Sequence, residues 1–176
     1  MNRSAVLIGL GIAVALQIVI VAGLVANAAM PLWTGTEIRL KTIPVDPRSM
    51  FRGNYTQLNY DIGQLPDNAL EEYRYLRIGE RVYVSLKLTD SGIYSFLSAS
   101  LDKPSTGVFI RGRLKNRYSP YRVNYGVNAF FAPKSKAIQL TKDLVQGGVA
   151  VLMVTDSGRA ALSNVVANPP KNENQP

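Results

Sequence analysis

Residues 81–88 have the sequence RVYVSLKL, in which apolar and polar side chains alternate at every second position. Successive side chains of a β-strand point to opposite faces of a sheet, so this alternation predicts a strand with one buried and one solvated face. The same period of two occurs at 56–62 and 110–114. These segments predict a β-sheet protein rather than a helical one.

Further strands are predicted at 37–43, 93–99, 121–127, 137–140, 148–155 and 160–166. Turn-forming sequences such as Asp90-Ser91-Gly92 and Asp156-Ser157-Gly158 separate several of them. Short strands at this spacing predict a mainly β protein, with a compact antiparallel β-barrel or sandwich over residues 37–166. A helical turn or two is predicted at 66–76, with Asp67 as its N-cap.

The N-terminal segment has a different composition, because no residue from Ala5 to Ala26 is charged. A helix of that length measures roughly 33 Å, enough to cross a hydrocarbon core of about 30 Å. We therefore predict a transmembrane anchor in residues 1–30 and a stalk at 31–36. Since a short leader with Arg3 precedes the anchor and a large domain follows it, we expect the N-terminus in the cytoplasm and the domain outside.

A cleavable secretory signal is the alternative interpretation of this segment. Arg3 provides a basic start, and Ala26-Asn27-Ala28 resembles a signal-peptidase site. Signal peptides have apolar cores of roughly 7–15 residues, and this core is longer, so the sequence favours an uncleaved anchor. At the other end, residues 167–176 are rich in proline and asparagine, and we predict a disordered tail there.

The composition excludes several kinds of site. The chain has no histidine and no cysteine. Disulfides, thiolate zinc sites, iron–sulfur clusters and Ser-His-Asp triads therefore cannot form within it. The acidic residues are scattered, so neither a metal site nor a cofactor is predicted.

Positive charge is concentrated in one part of the chain. The formal net charge is +8, and the stretch from Lys103 to Lys142 contains nine basic residues and no acidic one. By strict alternation, four basic side chains are predicted on one face of a strand, and we call this surface the basic face: Arg111, Arg113, Lys115 and Arg117. Neighbouring like charges are unfavourable unless they are solvated or paired. The face could bind phospholipid head groups or an acidic protein, or it could be a solvated edge that discourages aggregation.

The most distinctive segment is VDPRSMFRGNYTQLNYD, residues 45–61. Gly53 and Asn54 are well suited to a turn that leads into a strand. In that strand, Leu58 and Tyr60 would face inward and Tyr55 would lie on the opposite face. The segment is therefore either a structural corner or the lining of a binding site.

This segment resembles the motif of the GDYXXLXY family, small bacterial membrane-anchored proteins without an assigned activity. Asn54 stands where the family motif has aspartate, and residues 125–133 resemble a downstream aromatic segment of the family. The resemblance covers roughly 37–165. The motif positions that we consider as binding candidates are Asp46, Arg48, Arg52, Gly53, Asn54, Tyr55, Leu58 and Tyr60.

The resemblance implies a function as well as a cellular location. Some members of the family resemble partners encoded beside, or fused to, polytopic membrane proteins. It therefore implies a single-pass protein of the bacterial inner membrane, with a periplasmic domain that acts as an accessory or assembly module. We expect either a polytopic membrane protein or an acidic partner, together with the phospholipid membrane itself.

An enzymatic alternative depends on Ser49-Met50 and Gly53-Asn54, which resemble the Ser-Met and Gly-Asp elements of membrane signal peptidases. Such enzymes pair a serine with a lysine base, and Lys87 is the candidate here. A lysine base must be buried for its pKa to fall into a useful range. Lys87 alternates out of phase with the apolar residues around it, so we expect it to be exposed and favour a protein that is not an enzyme.

Nucleic-acid binding is a further alternative, suggested by a pI near 9.8 and by tyrosines among the basic residues. A domain outside the cytoplasm would rarely meet nucleic acid. We therefore expect no nucleic-acid partner.

Overall fold

A computed structural model describes residues 3–43, 55–73, 75–131 and 147–167 of the chain. The chain begins with one long helix, α1 (Arg3–Thr34). The strands that follow are β1 (Thr36–Ile43), β2 (Tyr55–Gln57), β3 (Asn59–Tyr60), β4 (Arg81–Leu88), β5 (Tyr94–Ser100), β6 (Val108–Leu114), β7 (Val123–Asn124), β8 (Ala129–Phe131), β9 (Gly148–Val154) and β10 (Ala160–Ala167). A 3-10 helix, Asp61–Gly63, follows β3.

Within these ranges, one large sheet has the strand order β10-β9-β1-β5-β4-β6-β7, and β3 pairs with β1 off this path. Strands β2 and β8 form a separate two-stranded sheet. The large sheet curls into a half-barrel, because the Arg111 amide of β6 donates to the Gly158 oxygen in the β9–β10 turn at 2.9 Å. The predicted β domain after a helix is confirmed. Its strands are not all antiparallel, since β1 and β5 pair in parallel at Leu40 and Tyr94.

The core lies on the concave side of this sheet, where the alternation in the sequence places it. Val82 and Val84 of β4 are fully buried, and Ile110 of the neighbouring β6 lies beside them. Tyr83 is buried as well, although it points to the other face. Its ring packs edge-on against Phe109, with the ring centroids 5.8 Å apart.

The strand predicted at 56–62 is interrupted. The chain pairs with β8 up to Gln57 and with β1 from Asn59, so it changes sheets at Leu58. Asn128 holds this crossing point, because its backbone oxygen accepts from the Leu58 amide at 2.8 Å and its Nδ2 donates to the Leu58 oxygen at 3.2 Å. The alternation nevertheless has the predicted phase: Leu58, Tyr60 and Ile62 are buried, and Asn59 is exposed.

The helix predicted at 66–76 is wrong, because the described residues of this segment form turns. Leu65, just before the segment, and Leu70 and Leu76 within it are buried, and their spacings of five and six residues do not match one face of a helix. Asp67 does not cap a helix. Its carboxylate accepts a hydrogen bond from the Ser119 hydroxyl across the domain.

Other sequence predictions are met in part. The segment predicted as a strand at 121–127 contains only the two-residue β7. The predicted strand at 137–140 and the predicted tail beyond Ala167 lie outside the described residues.

The stalk predicted at 31–36 is wrong, because α1 continues through Thr34 and β1 begins at Thr36. Gly35 alone joins them, and its amide donates to the Pro31 oxygen at 2.9 Å. A Cβ on Gly35 would collide with that oxygen and would lie 2.8 Å from the Val154 amide nitrogen. The helix therefore enters the domain through a tight junction rather than a flexible linker.

Helix α1 is long and apolar enough to cross a membrane from Leu7 onward, and its most apolar 18-residue stretch has no buried residue. Large apolar side chains are exposed all round it, so the domain does not cover any face of this stretch. A membrane span or a signal sequence has these properties.

Candidate functional site

The motif segment is only partly within the described ranges. Asp46, Arg48, Ser49, Arg52, Gly53 and Asn54 lie outside them. Tyr55 begins β2, and Leu58 and Tyr60 are each 2% exposed. The two inward positions predicted from the motif are therefore core residues.

Two buried tyrosines connect the motif to the downstream aromatic segment. The Tyr60 hydroxyl donates to the Val127 oxygen at 2.5 Å, and the Tyr125 hydroxyl donates to the Ile62 oxygen at 2.6 Å. Burial raises the pKa of both phenols well above the usual value, so both stay neutral donors. This reciprocal pair joins the two stretches in the folded domain, and it favours the structural-corner interpretation for Tyr60.

The predicted basic face does not lie on a single strand. Strand β6 ends at Leu114, so only Arg111 and Arg113 are strand residues. Lys115 lines a separate hollow of about 450 Å³ together with Arg122. The guanidinium of Arg117, in the following loop, lies 5.9 Å from the centre of the Tyr118 ring. The structure thus separates the four residues into two groups.

A different set of cations surrounds Arg111 and Arg113. Arg113 of β6 pairs directly with Arg81 of β4 on one side and with Asn124 of β7 on the other. Arg111 lies two residues before Arg113, so it shares their face of the sheet. An open hollow of about 200 Å³ lies among these side chains, with Tyr125 and Gly126 completing its lining. We call it the arginine hollow.

Gly112 accounts for the close approach of β6 and β7 beneath the hollow. A Cβ at this position would collide with the Val123 side chain and would lie 3.0 Å from the Asn124 oxygen. Gly112 therefore allows Asn124 to stand directly beside Arg113.

A fourth arginine approaches from the β9–β10 turn. Gly158 has a φ of +75°, and a Cβ there would lie 2.9 Å from the Phe109 ring, so the turn can pack on β6 only with glycine at this position. Arg159 follows Gly158 and donates to the backbone oxygen of Asn27 in α1 at 2.8 Å. The pKa of Arg111 is lowered by its partial burial and, to a smaller extent, by the charges of Arg81 and Arg159.

Carboxylates do not neutralise this cluster within the part of the chain that the structure describes. The one ion pair there joins Arg39 to Glu37, at 3.2 Å. Arg113 is oriented by a neutral acceptor, since its Nη1 donates to the Gly79 oxygen at 2.9 Å. Guanidinium groups gathered in this way match the oxygens of a phosphate or a carboxylate, which they bind through paired N–H donors.

Arg111 and Arg113 are predicted from the sequence, whereas Arg81 and Arg159 are not. Arg81 begins the alternating strand that predicted the fold, so its polar character was explained as a solvated face. Arg159 is far from the others in sequence. Only the pairing of β4 with β6 and the curl of the sheet bring these residues together.

Lys87, the candidate base of the enzymatic alternative, is exposed on β4, as predicted. In the described ranges, no three Asp or Glu residues lie close enough together to hold a metal ion.

The structure thus defines a protein with an N-terminal apolar helix, tightly joined to a curled half-barrel that has a cluster of arginines on its outer face. The chain belongs to the GDYXXLXY family: the model of this family, described as GDYXXLXY protein, matches residues 17–165. The match therefore includes the second half of α1 as well as the β domain. A comparison with curated proteins gives no match, and neither does a comparison with solved structures.

Proposed function

We propose that this protein is a membrane-anchored accessory module that assembles with a polytopic membrane protein and performs no catalysis of its own. In this proposal α1 is an uncleaved single-pass anchor in the bacterial inner membrane. The N-terminus is cytoplasmic, and the β domain lies in the periplasm.

The observation that carries the proposal is the exposure of α1 combined with its tight junction to the domain. An apolar helix that its own domain leaves uncovered needs lipid or other membrane helices around it. Because Gly35 packs against β9, the helix and the domain would be presented together to a neighbour in the membrane. Cleavage after Ala28 would leave this junction in place but would remove Asn27, to which Arg159 of the β9–β10 turn donates two hydrogen bonds, so that contact favours an uncleaved anchor.

The separated basic residues support a surface for an acidic partner. Arg117 and Lys115 are exposed beyond the end of β6, away from the arginine hollow. Exposed charges of this kind speed association and make it depend on ionic strength. We expect replacement of Lys115 and Arg117 by glutamine, with Arg111 and Arg113 left in place, to weaken association with the partner and to reduce its salt dependence.

Topology is tested by fusing alkaline phosphatase to the C-terminus in a bacterial host. The enzyme folds only outside the cytoplasm, so we expect an active fusion, and a matched fusion to a fluorescent protein that needs the cytoplasm should be dark. An inactive phosphatase would overturn the orientation. A mature chain that starts at Ala29 would overturn the anchor.

Assembly is tested by purifying the full chain in mild detergent and identifying what accompanies it by mass spectrometry. We expect a polytopic membrane protein at a fixed stoichiometry. The matched control replaces Ser49 by alanine, which should leave both the partner and the phenotype unchanged. Loss of phenotype in Ser49→Ala with the complex intact would instead favour the peptidase.

A further inference from the structure

We propose that the arginine hollow, formed by Arg81, Arg111 and Arg113 with Arg159 beside it, binds the phosphate of an anionic phospholipid in the bilayer that α1 crosses. This inference rests on the anchored helix of the proposed function. It depends neither on which side of the membrane the domain lies nor on a protein partner, because both leaflets present head-group phosphates.

The position of Arg159 places the hollow at the membrane surface. The uncharged run of α1 ends at Ala26, and Arg159 is bound to the next residue, Asn27. An apolar run of about 20 residues fills the hydrocarbon core, so Asn27 lies where the helix enters the head-group region. Trp33 is 72% exposed one to two turns further on, as expected of an aromatic side chain at this interface.

The charge arrangement points to an anion. Arg81 and Arg113 are direct cross-strand partners, and like charges in that relationship destabilise a sheet. Arg111 is half-buried beside both, and the described residues supply no carboxylate to any of them. An unfavourable placement of like charges is typical of a functional site, where a bound ligand of opposite charge removes the repulsion. One phosphate could accept from several of these guanidiniums at once.

The hollow suits a lipid head group because it is open and lies beside the surface that supplies the ligand. Each basic residue near an anionic membrane surface contributes about 1 kcal/mol to attraction. Asn124 adds an amide at the rim, and its Oδ1 already accepts from the Gly126 amide at 3.0 Å. A fixed group of three arginines and one amide would select phosphate-bearing head groups with net negative charge over zwitterionic ones.

The test uses the full chain in lipid nanodiscs made of phosphatidylcholine alone or of equal parts phosphatidylcholine and phosphatidylglycerol. Native mass spectrometry then counts the lipids that each released protein retains. We expect the wild type to retain phosphatidylglycerol selectively. The triple variant Arg81→Gln, Arg111→Gln, Arg113→Gln should retain about tenfold less phosphatidylglycerol than the wild type. The matched control, Lys41→Gln, Arg77→Gln, Lys87→Gln, removes the same charge from exposed sites and should behave as wild type.

Thermal unfolding in the same discs provides a second readout. In phosphatidylcholine the triple variant should be at least as stable as wild type, because mutual repulsion is removed. Phosphatidylglycerol should raise the melting temperature of the wild type and leave that of the triple variant unchanged, since only a chain that binds the lipid is stabilised by it. If the triple variant does not fold, Arg81→Gln alone should show the same loss in smaller degree.

Three results would overturn the inference. One is equal retention of phosphatidylglycerol by the triple variant and the wild type. Another is a loss of retention in the control variant as large as that in the triple variant, which would mean that bulk charge alone attracts the lipid. The third is stabilisation of wild type by inorganic phosphate in phosphatidylcholine discs as large as that given by phosphatidylglycerol, which would identify a free anion as the ligand. An inserted wild-type chain without lipid selectivity would leave the proposed anchor intact, whereas a chain that does not insert would overturn the anchor itself.

Discussion

Arg159 donates two hydrogen bonds to Asn27, one from Nη2 to the backbone oxygen at 2.8 Å and one from Nη1 to Oδ1 at 2.7 Å. Asn27 lies four residues before Pro31, which is inside α1. Proline has no N–H, so the backbone oxygen of Asn27 lacks its usual partner in the helix. The β9–β10 turn thus supplies the donor that the helix lacks, and this ties the helix to the domain.

A double-mutant cycle should detect this compensation. We expect Arg159→Ala to cost about 1–3 kcal/mol in the free energy of unfolding of the full chain, because the Asn27 oxygen is left without a donor. In a Pro31→Ala background the helix regains an amide for that oxygen, so the same change should cost about 1 kcal/mol less. Equal costs in both backgrounds, in denaturant titrations in detergent, would contradict the relationship.

Gly35→Ala should loosen the junction between α1 and the domain. The added methyl group meets the Pro31 oxygen and the backbone of Val154, neither of which is the end of a flexible side chain. Overpacking of this kind costs about 1–3 kcal/mol. The expected result is a lower melting temperature and faster protease cleavage near residue 35. Gly63→Ala is the matched control, since a Cβ there has its nearest neighbour at 4.0 Å. Similar behaviour of the two variants would show that the junction is loose.

Leu58→Ala should destabilise the domain by about 2–5 kcal/mol, because Leu58 is buried at the point where the chain changes sheets. Asn59→Ala, on the exposed side of the same segment, should cost under about 0.5 kcal/mol. Urea unfolding of the full chain in detergent compares the two. If both cost the same, the phase of the motif strand is wrong.

Stability should fall at alkaline pH because of Tyr60 and Tyr125. Burial raises the pKa of both phenols, so above about pH 10 the unfolded chain loses protons that the folded chain keeps. Each tyrosine should then lower the free energy of unfolding by about 1.4 kcal/mol per pH unit, whereas their contribution is complete below that pH. Unfolding measured from pH 7 to pH 11 should show this slope.

The matched variant is Tyr60→Phe with Tyr125→Phe. At pH 7 it should be less stable by about 1 kcal/mol for each lost hydrogen bond, and its decline above pH 10 should be shallower. An identical alkaline slope in the variant and the wild type would assign the titration to other groups.

Local patterns predicted most of the elements. The period-two alternation at 81–88 and 110–114 predicts strands because successive side chains of a strand point to opposite faces. The uncharged run to Ala26 predicts a helix because it is long enough to cross a bilayer. The motif residues Gly53, Tyr55, Leu58 and Tyr60 were enough to indicate the family. These predictions depend on neighbours along the chain, so the sequence contains all the information that they need.

The helix at 66–76 and the stalk at 31–36 were predicted wrongly because tertiary contacts decide those segments. At 66–76, leucines at irregular spacing are buried in the core, and this spacing does not fit a helix. At 31–36, Arg159 and the backbone of β9 stabilise a helix that contains a proline. Propensity describes an isolated segment, and both segments are stabilised by contacts with distant parts of the chain.

The candidate site illustrates the same division. By itself, the sequence determined that a basic stretch follows a strand and that an apolar helix precedes the domain. Only the tertiary structure decided that Arg81 stands opposite Arg113, and that the turn containing Arg159 reaches both α1 and Arg111. The register between β4 and β6 and the curl of the sheet are set by core packing among residues distant in sequence, so a cluster formed across them has no local pattern in the chain.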